Sequence, residues 1–135
     1  MKEMEQVFRA LADATRLRIL NLLLHGELCV CDIQFVLDSP QPNVSRHLTY
    51  LKNAGLVQDR REGPRIYYSF AQNTKGVRKD LFAFLWDLFR QSRDLKEDLR
   101  KLSKAVERGR SHARSRQPSS PVLTLKPRTA NPRRG

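Results

Sequence analysis

Cysteine is nearly missing from this chain: 135 residues carry two, Cys29 and Cys31. That scarcity excludes the disulfide framework that staples many small secreted domains. A bond between residues this close would be strained, so free thiols are expected rather than a structural bridge. Also missing is any apolar run near the roughly 18 residues of a membrane span. Glu3 and Glu5 interrupt the N-terminal pattern that a signal peptide requires. The expectation is a cytoplasmic protein with no membrane partner, in a compartment that keeps thiols reduced. Gly-rich phosphate loops, hydrolytic triads, metal-hydrolase signatures and Cys-x-x-Cys are all absent, which argues against an enzyme.

Acidic residues are scarce as well. Fourteen Asp and Glu face 26 Lys and Arg, for a formal charge of +12, which favours a polyanion as partner, nucleic acid before an anionic membrane surface. From Gly109 to Gly135 there is no acidic residue and there are seven basic ones. Removing those seven from +12 leaves +5 for residues 1–108. Residues 1–108 therefore read as one domain. Residues 109–135, rich in Ser, Pro and Arg, read as a basic, disordered tail. That tail is either an auxiliary phosphate binder or a solvated extension.

What is present is helical periodicity. Met4, Val7, Phe8 and Leu11 define a first amphipathic helix. Asp13 caps a second, with Leu17, Leu20 and Leu24 on one face and Gly26 as its stop. A short third helix is expected from about Cys29 to Leu37. Ser39 and two prolines then open a fourth, from about Pro40 to Ala54, with Val44, Leu48 and Leu51 inward. Two short helices joined by that turn have helix-turn-helix dimensions. Alternation over Leu56–Arg60 and Arg65–Phe70 around Gly63 predicts a β-hairpin. From Lys75 to about Glu107, Leu81, Leu85, Leu88, Leu95, Leu99, Leu102 and Val106 keep heptad spacing, with Ser92 the one polar interruption. One long helix is expected there, mainly covered by a second subunit. The fold class is mainly α with a small β-hairpin.

On a wheel of the fourth helix, Arg46 and Thr49 lie opposite the apolar side, flanked by Ser45 and Asn43, with Gln41 at the N-terminal end. Such positions meet base edges, where Arg suits guanine and Asn or Gln suits adenine. His47 falls nearer the core and reads equally as a phosphate contact or a packed residue. In the hairpin, Arg60, Arg61 and Arg65 are spaced for a phosphate backbone or a minor groove. The DNA-binding set is thus Gln41, Asn43, Ser45, Arg46, His47, Thr49, Arg60, Arg61 and Arg65.

Four stretches carry a resemblance: 8–20 (FRALADATRLRIL), 27–33 (ELCVCDI), 41–48 (QPNVSRHL) and 53–57 (NAGLV). Over residues 4–105 the chain resembles the ArsR/SmtB family of winged-helix repressors, and Cys-Val-Cys-Asp resembles its arsenic-sensing branch. The resemblance implies a winged helix-turn-helix, a homodimer through the first and last helices, and binding to double-stranded operator DNA that ends when inducer arrives. It places Met4, Val7, Phe8, Leu11, Leu81, Leu85, Leu88 and Leu95 at the dimer interface. No cofactor is implied for DNA binding, and As(III) or Sb(III) is the implied inducer, held by Cys29 and Cys31. The chain departs from the branch at Gln34, where a third cysteine usually stands, and an amide does not replace a thiolate for a soft metalloid. The family's zinc pattern on the last helix is not expected, because no histidine lies between Lys75 and Glu107.

Residues two apart on a regular helix point about 200° apart, so joint capture by both cysteines is expected to unwind the start of the third helix. Cd(II) or Pb(II) as inducer, a reversible disulfide switch, and a constitutive DNA binder remain open alternatives.

Overall fold

The structure, a computed structural model, describes residues 1–71 and 76–109. The element order is α1 (Lys2–Leu11), α2 (Ala14–Leu23), β1 (Leu28–Cys29), α3 (Val30–Leu37), α4 (Gln41–Asn53), β2 (Val57–Glu62), β3 (Arg65–Phe70), α5 (Gly76–Phe89) and α6 (Arg93–Glu107). Apart from Gly109, the expected basic tail lies outside the described residues, as does Lys75.

The early helices follow their local signals. Asp13 takes an extended backbone and its side chain accepts from the Arg16 N–H at 3.0 Å, satisfying one orphan donor of α2. Gly26 at φ 141° ends that segment, in a conformation that L side chains rarely adopt. Asp38 closes α3 in the left-handed region, at φ 52°. Pro40, rather than Ser39, is the N-cap of α4. The Ser39 hydroxyl instead accepts from the Asn43 amide at 2.9 Å.

Two features differ from the sequence reading. The hairpin is the larger part of a three-stranded antiparallel sheet of order β1-β3-β2, in which Leu28 faces Tyr68 and Cys29 faces Tyr67. Two residues are too few to show strand alternation, so β1 left no periodic trace. The expected long helix is broken after Phe89. Ser92 is no passive interruption: it is the N-cap of α6, accepting from the Leu95 N–H at 3.2 Å, with Asp94 in the first turn.

The break lets α6 pack back on α2 and α3. Leu95 and Leu102 are buried there, and Leu99 packs partly buried against them. Two polar links fix this docking. The buried Asn21 amide donates to the Leu95 carbonyl at 3.0 Å. The Arg18 guanidinium donates to both oxygens of buried Asp98, at 2.7 and 2.9 Å, and this hydrogen bonding raises the Arg18 pKa. Half of the apparent heptad seam therefore serves the chain's own core. Val7 and Leu85 are likewise buried, so they and Leu95 do not lie on a surface that a second subunit could cover. Met4, Phe8, Phe84 and Leu88 do remain exposed, Phe8 at 65%.

Candidate metal centre and nucleic-acid interface

Cys29 ends β1 and caps α3, with an extended backbone at φ −79° and ψ 158°. Its side chain is therefore not directed as a helical residue's is, and it meets the first turn of α3. The Cys31 N–H donates to Cys29 Sγ at 3.2 Å. Contrary to the expectation of free thiols, the structure joins the two sulfurs in a disulfide, with the Cα atoms 5.3 Å apart, a separation that bridged cysteines ordinarily span. The premise that both cysteines stand on one helix is also corrected. With Cys29 outside the helix, the two sulfurs converge while α3 stays regular from Val30.

A third group shares the place. Cys29 Sγ, Cys31 Sγ and an Asp32 carboxylate oxygen all lie within 4.8 Å of one another. Cys29 and Asp32 are buried, and Cys31 is exposed and gives access from solvent. Two soft sulfurs and one oxygen suit a thiophilic ion once the bridge is reduced. Asp32 stands in the Cys-Val-Cys-Asp stretch, but its convergence with the two sulfurs has no local signal, because it depends on the backbone of Cys29.

The site is tied to the sheet. Glu27, just before β1, accepts from Arg60 Nε and from a second Arg60 nitrogen, each at 2.7 Å. A third Arg60 nitrogen donates to Glu62 at 2.7 Å, and the guanidinium lies 4.8 Å from the centroid of the Tyr67 ring. Hydrogen bonds to Glu27, then to Glu62, raise the Arg60 pKa. Arg60 thus clips β2 to the segment ahead of Cys29 while its side chain stays half-exposed. Arg61 and Arg65, at the hairpin tip, are exposed.

On α4, Gln41, Arg46 and Thr49 are exposed and Asn43, Ser45 and His47 half-buried. Gln41 donates to the Ser45 hydroxyl at 2.8 Å, and Arg46 to the Asn43 carbonyl oxygen at 2.6 Å. The exposed edge of the helix is thus a pre-ordered polar strip. His47 packs against the start of α2. Its Nδ1 lies 3.3 Å from an Arg16 guanidinium nitrogen and 3.8 Å from Asp13. Burial lowers its pKa, Asp13 opposes that, and Arg16 and Arg46 add to it. Arg16 is a residue that sequence reasoning missed. It donates to the carbonyls of Ala10 and Arg9 at 2.8 and 3.1 Å and stacks over Tyr50 at 4.0 Å, locking α4 to the end of α1. Its partners on α4 lie more than 30 positions away, beyond any local signal.

These parts match known proteins. The sequence model of the arsR family of bacterial regulatory proteins matches residues 13–59. Among solved structures, the homodimeric winged helix-turn-helix DNA-binding domain of a possible ArsR-family transcriptional regulator from Mycobacterium bovis is 37% identical. It aligns at a TM-score of 0.56 over 64% of this chain and 78% of that one. The chain belongs to the arsR family. Its α3–turn–α4 unit and β2–β3 hairpin are the helix-turn-helix and wing of that fold. The arsenical resistance operon repressor of Escherichia coli is 52% identical over 64 residues, 47% of this chain and 55% of that one. A cadmium resistance transcriptional regulatory protein homologue from Staphylococcus aureus is 46% identical over 68 residues, 50% of this chain and 56% of that one. This arsR-family chain thus spans about half the length of these curated relatives. No helix among the described residues is long and apolar enough to cross a membrane.

Proposed function

We propose that the protein is a cytosolic transcriptional repressor that binds operator DNA as a homodimer and releases it when arsenite or antimonite is captured by Cys29 and Cys31. The observation that carries this reading is the convergence of both sulfurs at the joint between β1 and α3. That joint touches both DNA-facing elements. Cys29 is paired in the sheet with Tyr67, and Tyr67 faces Arg60 on β2. On the other side, α3 packs on α4. A ligand drawing on the two sulfurs therefore acts on the wing through the ladder and the Glu27–Arg60 clip, and on α4 through α3.

The bridge must first open: two equivalents of a monothiol reduce it to two cysteine thiols and depart as their own disulfide. Arsenite then exchanges two hydroxyls for two sulfurs, with two waters leaving. A helix N-terminus favours the thiolates that attack. A coupling of about 1–3 kcal/mol per site weakens operator binding roughly 5- to 150-fold.

For DNA, Arg46 with Gln41, Asn43, Ser45 and Thr49 reads bases, while Arg61 and Arg65 meet the backbone or minor groove. Subunits join through the exposed apolar residues of α1 and α5, chiefly Met4, Phe8 and Leu88, with Leu11 and Leu81 at the margin. Two other signals have specific support: cadmium, from the resemblance to a cadmium resistance regulator, and oxidation, from the bridged state. The deciding experiment is fluorescence anisotropy on DNA upstream of the protein's own gene, with the reduced protein and separate arsenite, antimonite, cadmium and peroxide arms. Site-specific binding released by arsenite supports the reading. Release by peroxide alone, or binding indifferent to sequence, refutes it.

A further inference from the structure

We infer that Arg16 is the positioning residue that fixes the two α4 helices of the dimer relative to each other, and so sets the half-site spacing its operator must have. This rests on the reading of the protein as a homodimer on operator DNA. Arg16 stands on α2, and its guanidinium reaches two further elements at once. Its Nε donates to the Ala10 carbonyl at 2.8 Å, and a second nitrogen donates to the Arg9 carbonyl at 3.1 Å. Both carbonyls belong to the last turn of α1, the negative end of that helix, where a cation is favoured. A third nitrogen lies 3.3 Å from His47 Nδ1, and the central carbon lies 4.0 Å from the centroid of the Tyr50 ring. A guanidinium only donates, so His47 meets it through a ring-nitrogen lone pair. His47 and Tyr50 both stand on α4, and Tyr50 is one turn beyond exposed Arg46. One side chain thus ties α1, α2 and α4 together.

The face proposed for the other subunit includes exposed Met4 and Phe8 of α1, and Phe8 directly precedes Arg9. The path from one α4 to its two-fold mate therefore passes through Arg16 twice, once in each protomer. Two such helices meet half-sites about 34 Å apart, so tolerance of altered spacing measures how firmly α4 is held to α1. One base pair added between half-sites moves the second by about 3.4 Å and turns it by roughly 35°. A rigid tie cannot follow that displacement, whereas a loosened one can. Lysine is no substitute at this position. It keeps the charge, but its ammonium cannot fork to two carbonyls and also lie flat on a ring.

The test measures binding of the reduced full chain to the footprinted operator upstream of its own gene, and to copies with one base pair inserted or removed between half-sites. The parent should lose roughly 5- to 150-fold on the altered spacings, the cost of a displaced base contact. Arg16→Lys and Arg16→Gln should bind all three spacings nearly alike. A probe carrying a single half-site separates positioning from damage to α4 itself, and its affinity should stay close to the parent's in every variant. Tyr50 is exposed, so its variants test the same tie without disturbing the core. Tyr50→Leu should relax the spacing requirement, and Tyr50→Phe, which keeps the ring, should retain it. Discrimination left intact in Arg16→Gln and Tyr50→Leu overturns the inference, as does a loss of half-site affinity as large as the loss on the intact operator. A parent indifferent to spacing removes the dimeric reading, and the inference with it; a discriminating parent beside equally discriminating variants removes Arg16 alone.

Discussion

Two neighbours on α1 make opposite forecasts. Val7 is 4% exposed and Phe8 65% exposed, so the first belongs to the chain's own core and the second to the face proposed for the other subunit. A phenylalanine side chain offers about 200 Å², of which the exposed share is about 130 Å². At about 25 cal/mol per Å² its burial is worth roughly 3 kcal/mol per copy. A two-fold interface carries the residue twice, which sets an upper figure of about 6 kcal/mol, and interface area rarely converts in full. Phe8→Ala is therefore expected to raise the dimer dissociation constant by about 100- to 10,000-fold, at 1.4 kcal/mol per decade. Val7→Ala should instead cost about 2 kcal/mol of folding stability, with dimer affinity nearly kept. Sedimentation across a concentration series reads dimer affinity, and thermal unfolding at one high concentration reads stability. A Phe8→Ala dimer that holds within threefold of the parent would refute the assignment of this face.

Three further outcomes follow from the DNA side. Arg46→Ala should cost about 1–3 kcal/mol of discrimination at one base position, measured against operators mutated singly. Glu27→Gln should leave unliganded operator affinity within severalfold but shrink the ratio of affinities with and without arsenite, because the Arg60 clip is weakened. An unchanged ratio would remove the wing from the route. The His47 pKa is lowered from its ordinary 6.5 in the folded chain. The unfolded chain therefore takes the proton first, and this stability is present above about 6.5 and lost as pH falls through the depressed folded value. His47→Gln should flatten that acid-side slope in a denaturant series.

Much of this was legible locally. The cap at Asp13, the apolar faces of α1, α2 and α4, and the glycine turn of the hairpin each rest on residues within a few positions of one another. The Cys-Val-Cys-Asp stretch was visible for the same reason. What escaped depends on distance. The β1 strand exists only because β3 offers it a partner almost 40 residues later. The break before α6 hides in a polar trio, Arg90-Gln91-Ser92, which a heptad count passes over, and docking on Asn21 and Arg18 reveals it. Arg16, Arg18 and Arg60 carry no local sign of their partners, yet each is engaged by a residue far away in the chain. The Asp32 donor became visible only once Cys29 proved to be an extended cap.

Arsenite titrated into the reduced, operator-bound protein, beside the Cys29→Ser, Cys31→Ser double variant, tests the account most directly. Release from the parent at stoichiometric arsenite, with the serine variant still bound, is the predicted result. Equal release from both would contradict it.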